Sequence, residues 1–175
     1  NTTGNYNIAV GHRSLEDNVS GTDNAAFGTY ALMDNTGSHN TAIGNWTLDA
    51  NTTGQYNTAV GRSALSANTT ADSNTAVGYY ALLTNTTGYS NTAVGRGALQ
   101  TNSTGIQNTA VGYYALHSEN TGGDNTAVGR QVLANQQGAS GNTAMGYRAL
   151  FTNTSGIQNV GVGNSALLSN TTGER

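Results

Sequence analysis

The apolar positions of this chain fall in short pairs that return in step. In the unit Asn57 to Ser73, NTAVGRSALSANTTADS, Ala59 and Val60 form one pair and Ala64 and Leu65 another, with polar residues and glycine between them. The same unit restarts at Asn7, Asn24, Asn40, Asn57, Asn74, Asn91, Asn108, Asn125, Asn142 and Asn159, 17 residues apart except for a step of 16 from Asn24 to Asn40. Gly follows each of these asparagines by four residues, and Leu by eight, from Leu15 to Leu167. A unit this short buries its apolar face only against its neighbours, so each one reads as a single coil of a solenoid.

Within a coil, Thr58, Ala59 and Val60 have strand propensity, and Gly61 closes the run. Ser63 to Ser66 reads as a second short strand, and Asn68 to Ser73 is turn chemistry. The fold expected is an all-β parallel β-solenoid, or β-roll, with ten coils stacked into a rod about 48 Å long. One alternative stays open: GYYALLTNTTG, after Gly78, can instead make one short helical turn per coil, ended by Asn85. The whole chain, 1–175, reads as one solenoid and, starting and stopping within a unit, as a segment of a longer protein.

Strand alternation assigns faces. The larger ladder, Val10, Phe27, Ile43, Val60, Val77, Val94, Val111, Val128, Met145 and Val162, joins the leucines as the expected interior. That puts the alanines outside as a flat packing wall, with Ala59, Ala76, Ala93, Ala110 and Ala127 as a candidate interface and a second row from Ala31 to Ala166 beside them. The asparagines that start the coils are expected to tolerate the left-handed backbone and to stack as amide ladders. A second asparagine row, from Asn18 to Asn170, is broken at Glu119 and Gln136, where a local irregularity is expected.

Composition narrows the function. Lys is absent, only six arginines are present and the net charge is −3, which argues against nucleic acid as a partner. Cys is absent, so no thiolate–metal or disulfide chemistry is available. No apolar run is long enough to cross a bilayer. His12, His39 and His117 occupy different unit positions, and the carboxylates are mostly isolated turn residues, so neither a metal site, a cofactor nor a catalytic pair is expected.

The residue after the glycine carries the most informative variation, reading Arg62, Tyr79, Arg96, Tyr113, Arg130, Tyr147 through six successive coils. Stacked rungs place guanidinium on phenol, either as a stabilising ladder or, with Tyr80, Tyr114, Arg148 and Trp46, as a ridge for a saccharide or receptor. Sequons at Asn18, Asn45, Asn51, Asn68, Asn85, Asn102, Asn153 and Asn170 are candidate glycosylation sites in an exported protein. Thr41, Thr58, Thr75, Thr92, Thr109, Thr126 and Thr143 make a ladder of the kind an ice-binding solenoid would need, although Val, Ile or Met takes the place of a second Thr.

The stretch Asn91-Thr92-Ala93-Val94-Gly95, present in close variants in all ten units, resembles the head repeats of trimeric autotransporter adhesins, with their Asn-Ser-x-Ala-Ile-Gly signature. It is also similar to repeat regions of bacteriophage tail-fibre and tail-spike proteins. The unit here is longer than the adhesin unit, with ALxxNTTG inserted or extended. The resemblance implies a left-handed roll and three chains packed side by side, displayed outside the cell or on a virion. The expectation is thus an extracellular, homotrimeric, non-enzymatic fibre segment. A filament polymerised end to end through open coil edges is the alternative.

Overall fold

The structure, a computed structural model, describes residues 2–174. Ten three-residue strands follow one another: β1 (Ile8–Val10), β2 (Ala25–Phe27), β3 (Thr41–Ile43), β4 (Thr58–Val60), β5 (Thr75–Val77), β6 (Thr92–Val94), β7 (Thr109–Val111), β8 (Thr126–Val128), β9 (Thr143–Met145) and β10 (Val160–Val162). They form one parallel sheet in sequence order. From β4 to β8 the register sets Thr on Thr, Ala on Ala and Val on Val. The chain is the expected all-β solenoid of about 17-residue coils.

The second run is neither a strand nor a helical turn. Two tight turns cross it, with the Ala64 N–H donating to Gly61 O and the Asn68 N–H to Leu65 O. Every leucine of the row has a positive φ, as does the residue two before it, for example Ser63 at 54° and Leu65 at 52°. A left-handed leucine costs of order 1 kcal/mol in isolation. It persists here because the turn drives the side chain into the interior and frees the backbone to bond to adjacent coils, Leu65 N–H to Ala81 O and Ser63 N–H to Asn45 O. The asparagines, by contrast, are absent from the positive-φ residues; the left-handed site is the residue just before each one, such as Ser73 or Ser90.

The assignment of faces is reversed from the sequence expectation. Ala59, Ala76, Ala93, Ala110 and Ala127 are fully buried, as are Ala64, Ala81, Ala98 and Ala115 of the second row, and they pack with the leucines as one continuous core. The larger ladder faces outward, with Phe27, Ile43 and Met145 39%, 43% and 49% exposed. The coil-starting asparagine points inward, so alternation carries the alanine two residues later inward too. The coil is thin: leucine reaching across from the opposite wall fills the space, leaving room for a methyl group only. The glycines closing the strands reflect the same crowding, since a Cβ on Gly95 would lie 2.5 Å from Gly112 O at a φ of 130°.

The rest of the interior is amide. The Asn74 Nδ2 and Asn85 Nδ2 groups both donate to Gly88 O, at 2.9 and 2.8 Å, so two asparagines clamp one corner of each coil. Between coils, Asn74 Oδ1 accepts the Asn91 N–H at 3.0 Å, and Asn85 Nδ2 donates to Asn68 Oδ1 at 3.1 Å. The expected amide ladders are therefore present, as buried struts. The 16-residue coil interrupts one of them: its corner NTGSH is a residue short, and Asn18 Oδ1 has no partner.

Exchanging size between the two strand faces tests this arrangement. Ala93→Val is expected to lower stability by about 1–3 kcal/mol through overpacking inside the coil, whereas Val94→Ala, on the outward face, is expected to cost less because it disturbs nothing inside the coil. Thermal or denaturant unfolding monitored by circular dichroism reads both. The opposite order would restore the alanines to the surface.

Candidate functional site

The residues after the glycine project from the corner where the strand ends, next to the left-handed residue that begins the tight turns. Each coil thus presents two adjacent outward positions, the second empty only at Gly97, repeated at the rung spacing of about 4.8 Å. The Arg62 guanidinium lies 6.0 Å from the Tyr79 ring, and Arg96 lies 5.6 and 5.8 Å from Tyr79 and Tyr113. Arg130 lies 5.8 and 5.5 Å from Tyr113 and Tyr147. The alternation read in the sequence is therefore an unbroken cation–π ladder over six coils, each contact worth about 0.5–1 kcal/mol at an exposed position.

The second column thickens the ridge. Tyr80 stacks on Tyr79 at 3.8 Å, and Tyr114 lies 4.3 Å from Tyr113. The Tyr114 ring rests over Gly97, where an added Cβ would come within 2.2 Å of it, so the missing side chain there makes the ring's seat. Arg148 faces Tyr147 and Phe151 at 5.3 and 5.0 Å and donates through Nε to Gln131 Oε1 at 3.1 Å. Beside it, Tyr114, His117, Gln131, Ala134, Asn135 and Phe151 line a shallow groove of about 260 Å³. Burial lowers the His117 imidazole pKa, favouring its neutral form. The Tyr79 phenol is raised, first by its hydrogen bond with Tyr80.

Trp46 does not join this ridge. It stacks on Tyr30 at 4.3 Å, and Tyr30 in turn meets Arg13 at 5.5 Å and His12 at 5.5 Å, forming a separate cluster over the first three coils. Arg13 is paired with Glu16, whose hydrogen bond raises the guanidinium pKa further. The sequence reading took only Trp46, Tyr80, Tyr114 and Arg148 from the second column and passed over Arg13, Tyr30 and Gln131 in it; His117 and Phe151 join the ridge from a third column, three positions further along the unit.

Most of the sequon asparagines are engaged inside the folded chain. Asn18, Asn51, Asn68, Asn85, Asn102 and Asn153 are buried, and Asn170 donates its Nδ2 to Asn153 Oδ1 at 2.9 Å. Their Thr neighbours serve the turn instead, as Thr69 Oγ1 does by donating to Thr86 O. Asn45 alone among these sequons is exposed. Among the described residues no three His, Asp or Glu side chains gather as a metal site.

The break in the second asparagine row is a local device. Strand register runs through it undisturbed, and the irregularity stays in the corner. Glu119 is fully buried, and its Oε1 accepts the N–H groups of Asn120, Thr121, Gly122 and Gly138 at 2.9, 3.1, 2.6 and 2.9 Å. Its Oε2 accepts Gln136 Nε2 at 2.7 Å. A carboxylate thus holds a corner that departs from NTTG, and Asn102 Oδ1, deprived of an amide donor, is left unpartnered. Asp49 is less well satisfied: loss of solvent raises its carboxyl pKa, and its Oδ1 is unpartnered.

Glu119→Ala is expected to cost about 3 kcal/mol, because the buried Gly122 N–H and Gln136 Nε2 and three partly buried N–H groups lose their acceptor together. Hydrogen exchange should localise the loss to the corners at 119–124 and 136–141, and a uniform change along the rod would contradict it. Comparison with known proteins returned no match to a family model, to a curated protein or to a solved structure.

Proposed function

We propose that this chain is a rod segment of a homotrimeric extracellular fibre, carried on a cell or virion surface, whose arginine–tyrosine ridge contacts a surface glycan or receptor without catalysis. The observation that carries the reading is the outward sheet face. Along ten rungs it presents Val, Ile, Phe or Met, with threonine beside them on the seven rungs from Thr41 to Thr143, and Ile8 and Val10 on the first rung are 53% and 54% exposed. A contiguous apolar stripe of this length calls for a covering surface. A second copy of the chain has the same rung spacing and so meets it in register along the full length. The alanine walls, being internal, do not supply the contact; the Val ladder does. The resemblance of the NTAVG units to adhesin-head and tail-fibre repeats agrees with this assembly.

Light scattering after size separation is expected to give one species of three chains that persists on dilution. Val94→Glu, on the outward face, should reduce the mass to that of one chain while the circular dichroism of the coil is retained. Very large particles of dispersed length would replace this reading with end-to-end polymerisation through the coil edges. A clean monomer of the parent chain would overturn both, and freezing hysteresis would then be the check on the threonine ladder as an ice-binding face.

A further inference from the structure

We propose that the ridge from Arg62 to Arg148 is a track for a linear polyanionic glycan lying along the rod axis. Its carboxylate or sulfate groups meet the guanidinium groups, and the intervening sugar rings lie against the tyrosines. This rests on the reading of the ridge as the contact surface and names the chemistry it takes.

Charge placement carries the inference. The ion pairs formed among the described residues are Arg13 with Glu16 and His39 with Asp23, so Arg62, Arg96, Arg130 and Arg148 face no carboxylate. Neither of the two unit positions that build the ridge holds an Asp or Glu in any coil. The first three coils carry five of the nine acidic residues and one arginine, so the rod is acidic at one end, while the unpaired cations begin at the fourth coil. Two or more rings flank each of Arg96, Arg130 and Arg148, and one ring, Tyr79, meets Arg62, holding the guanidinium groups without neutralising them. The planar fork of donors suits a two-point contact with an oxyanion.

Spacing selects the ligand. Arg62, Arg96 and Arg130 share one unit position two coils apart, and so sit about 9.6 Å from one another in a straight line. A single small anion would use one of them, and an irregular acidic protein surface would match one or two. A nucleic-acid strand carries a phosphate about every 3.4 Å, roughly three for each guanidinium, leaving most of its charge uncompensated. An extended glycan with an acidic group on alternate sugars puts its charge at long, even intervals and an apolar ring face between them, where Tyr79, Tyr113 and Tyr147 stand.

The test uses the full chain with oligomers of alternating uronic acid and N-acetylhexosamine, graded in length. Neutral N-acetylglucosamine oligomers and a single-stranded DNA oligonucleotide serve as comparators, and binding is followed by fluorescence anisotropy at two salt concentrations. The acidic oligomers are expected to bind at least tenfold more tightly than the neutral ones and to weaken with salt. Affinity should rise with length until the ligand spans Arg62 to Arg130, about 19 Å, and then level off. Arg96→Ala, with its fold checked by circular dichroism, should weaken binding about tenfold, and Arg96→Lys should fall between it and the parent. Equal binding of neutral oligomers, unaffected by Arg96→Ala but lost with Tyr113→Ala, would overturn the polyanion assignment and leave a glycan-binding ridge standing. Absence of binding by any glycan would overturn both. Tighter binding of the DNA than of every glycan would replace the assignment with nucleic acid.

Discussion

The structure depends on amide-to-amide bonding inside the coil. A thin solenoid cannot supply enough apolar volume to bury its corners, and a corner is where backbone carbonyls and N–H groups run out of strand partners. Asn74 and Asn85 converge on Gly88 O, while Asn74 Oδ1 takes the Asn91 N–H of the next coil. Each asparagine therefore closes its own coil and ties it to a neighbour. Because an amide carries both donor and acceptor, the pattern propagates with one polarity along the rod. The two other residue types admitted to the row show the rule. Gln136 continues it, with Oε1 accepting Asn153 Nδ2 and Nε2 donating to Glu119, whereas Glu119 only accepts and leaves Asn102 Oδ1 stranded.

With the corners held by amides, the space left for side chains is small, and this explains the remaining residue choices. Alanine from the strand and leucine from the turns fill the cross-section. The leucines occupy left-handed backbone, which sets a stiff, repeated geometry at the corner beside them. That stiffness is what the outer surface inherits. The ridge side chains are mounted on backbone that bonds from coil to coil, Gly97 N–H to Tyr79 O and Tyr114 N–H to Arg96 O, so the spacing of Arg96 from Tyr79 and Tyr113 is set by the ladder rather than by the side chains alone. A surface built this way presents its groups at a fixed period, the property on which the proposed glycan contact rests.

Much of the candidate site was legible as pattern and little of it as contact. Arg-Tyr alternation through six coils predicted the cation–π ladder, because identical unit positions must stack. It predicted nothing of Gly97 making a seat for Tyr114, or of Arg148 bridging to Gln131, since those depend on the neighbouring column and on side-chain direction. The sequons of the second asparagine row have a physical reason of their own: the asparagine a tight corner needs for its amide is also the first letter of an acceptor motif, and the corner engages it, whereas Asn45 lies exposed outside that row.

Repeat length, coil number, parallel stacking and the asparagine ladders follow from the sequence alone, because a 17-residue period with invariant Asn, Gly and Leu admits only neighbours that repeat it. Which face is inside was decided by the tertiary structure. Size argued for Val94 inward and Ala93 outward, but the inward turn of Asn91 and the narrow gap before the opposing leucine require the reverse. The ten copies did hold a hint, since the outward position drifts among Val, Phe, Ile and Met while the inward one is almost always Ala, as a packed gap of fixed width demands. The second run was likewise beyond reach from local propensity. Alanine and leucine favour regular structure, and only the need to point Leu65 inward while bonding to adjacent coils makes two left-handed turns the stable solution.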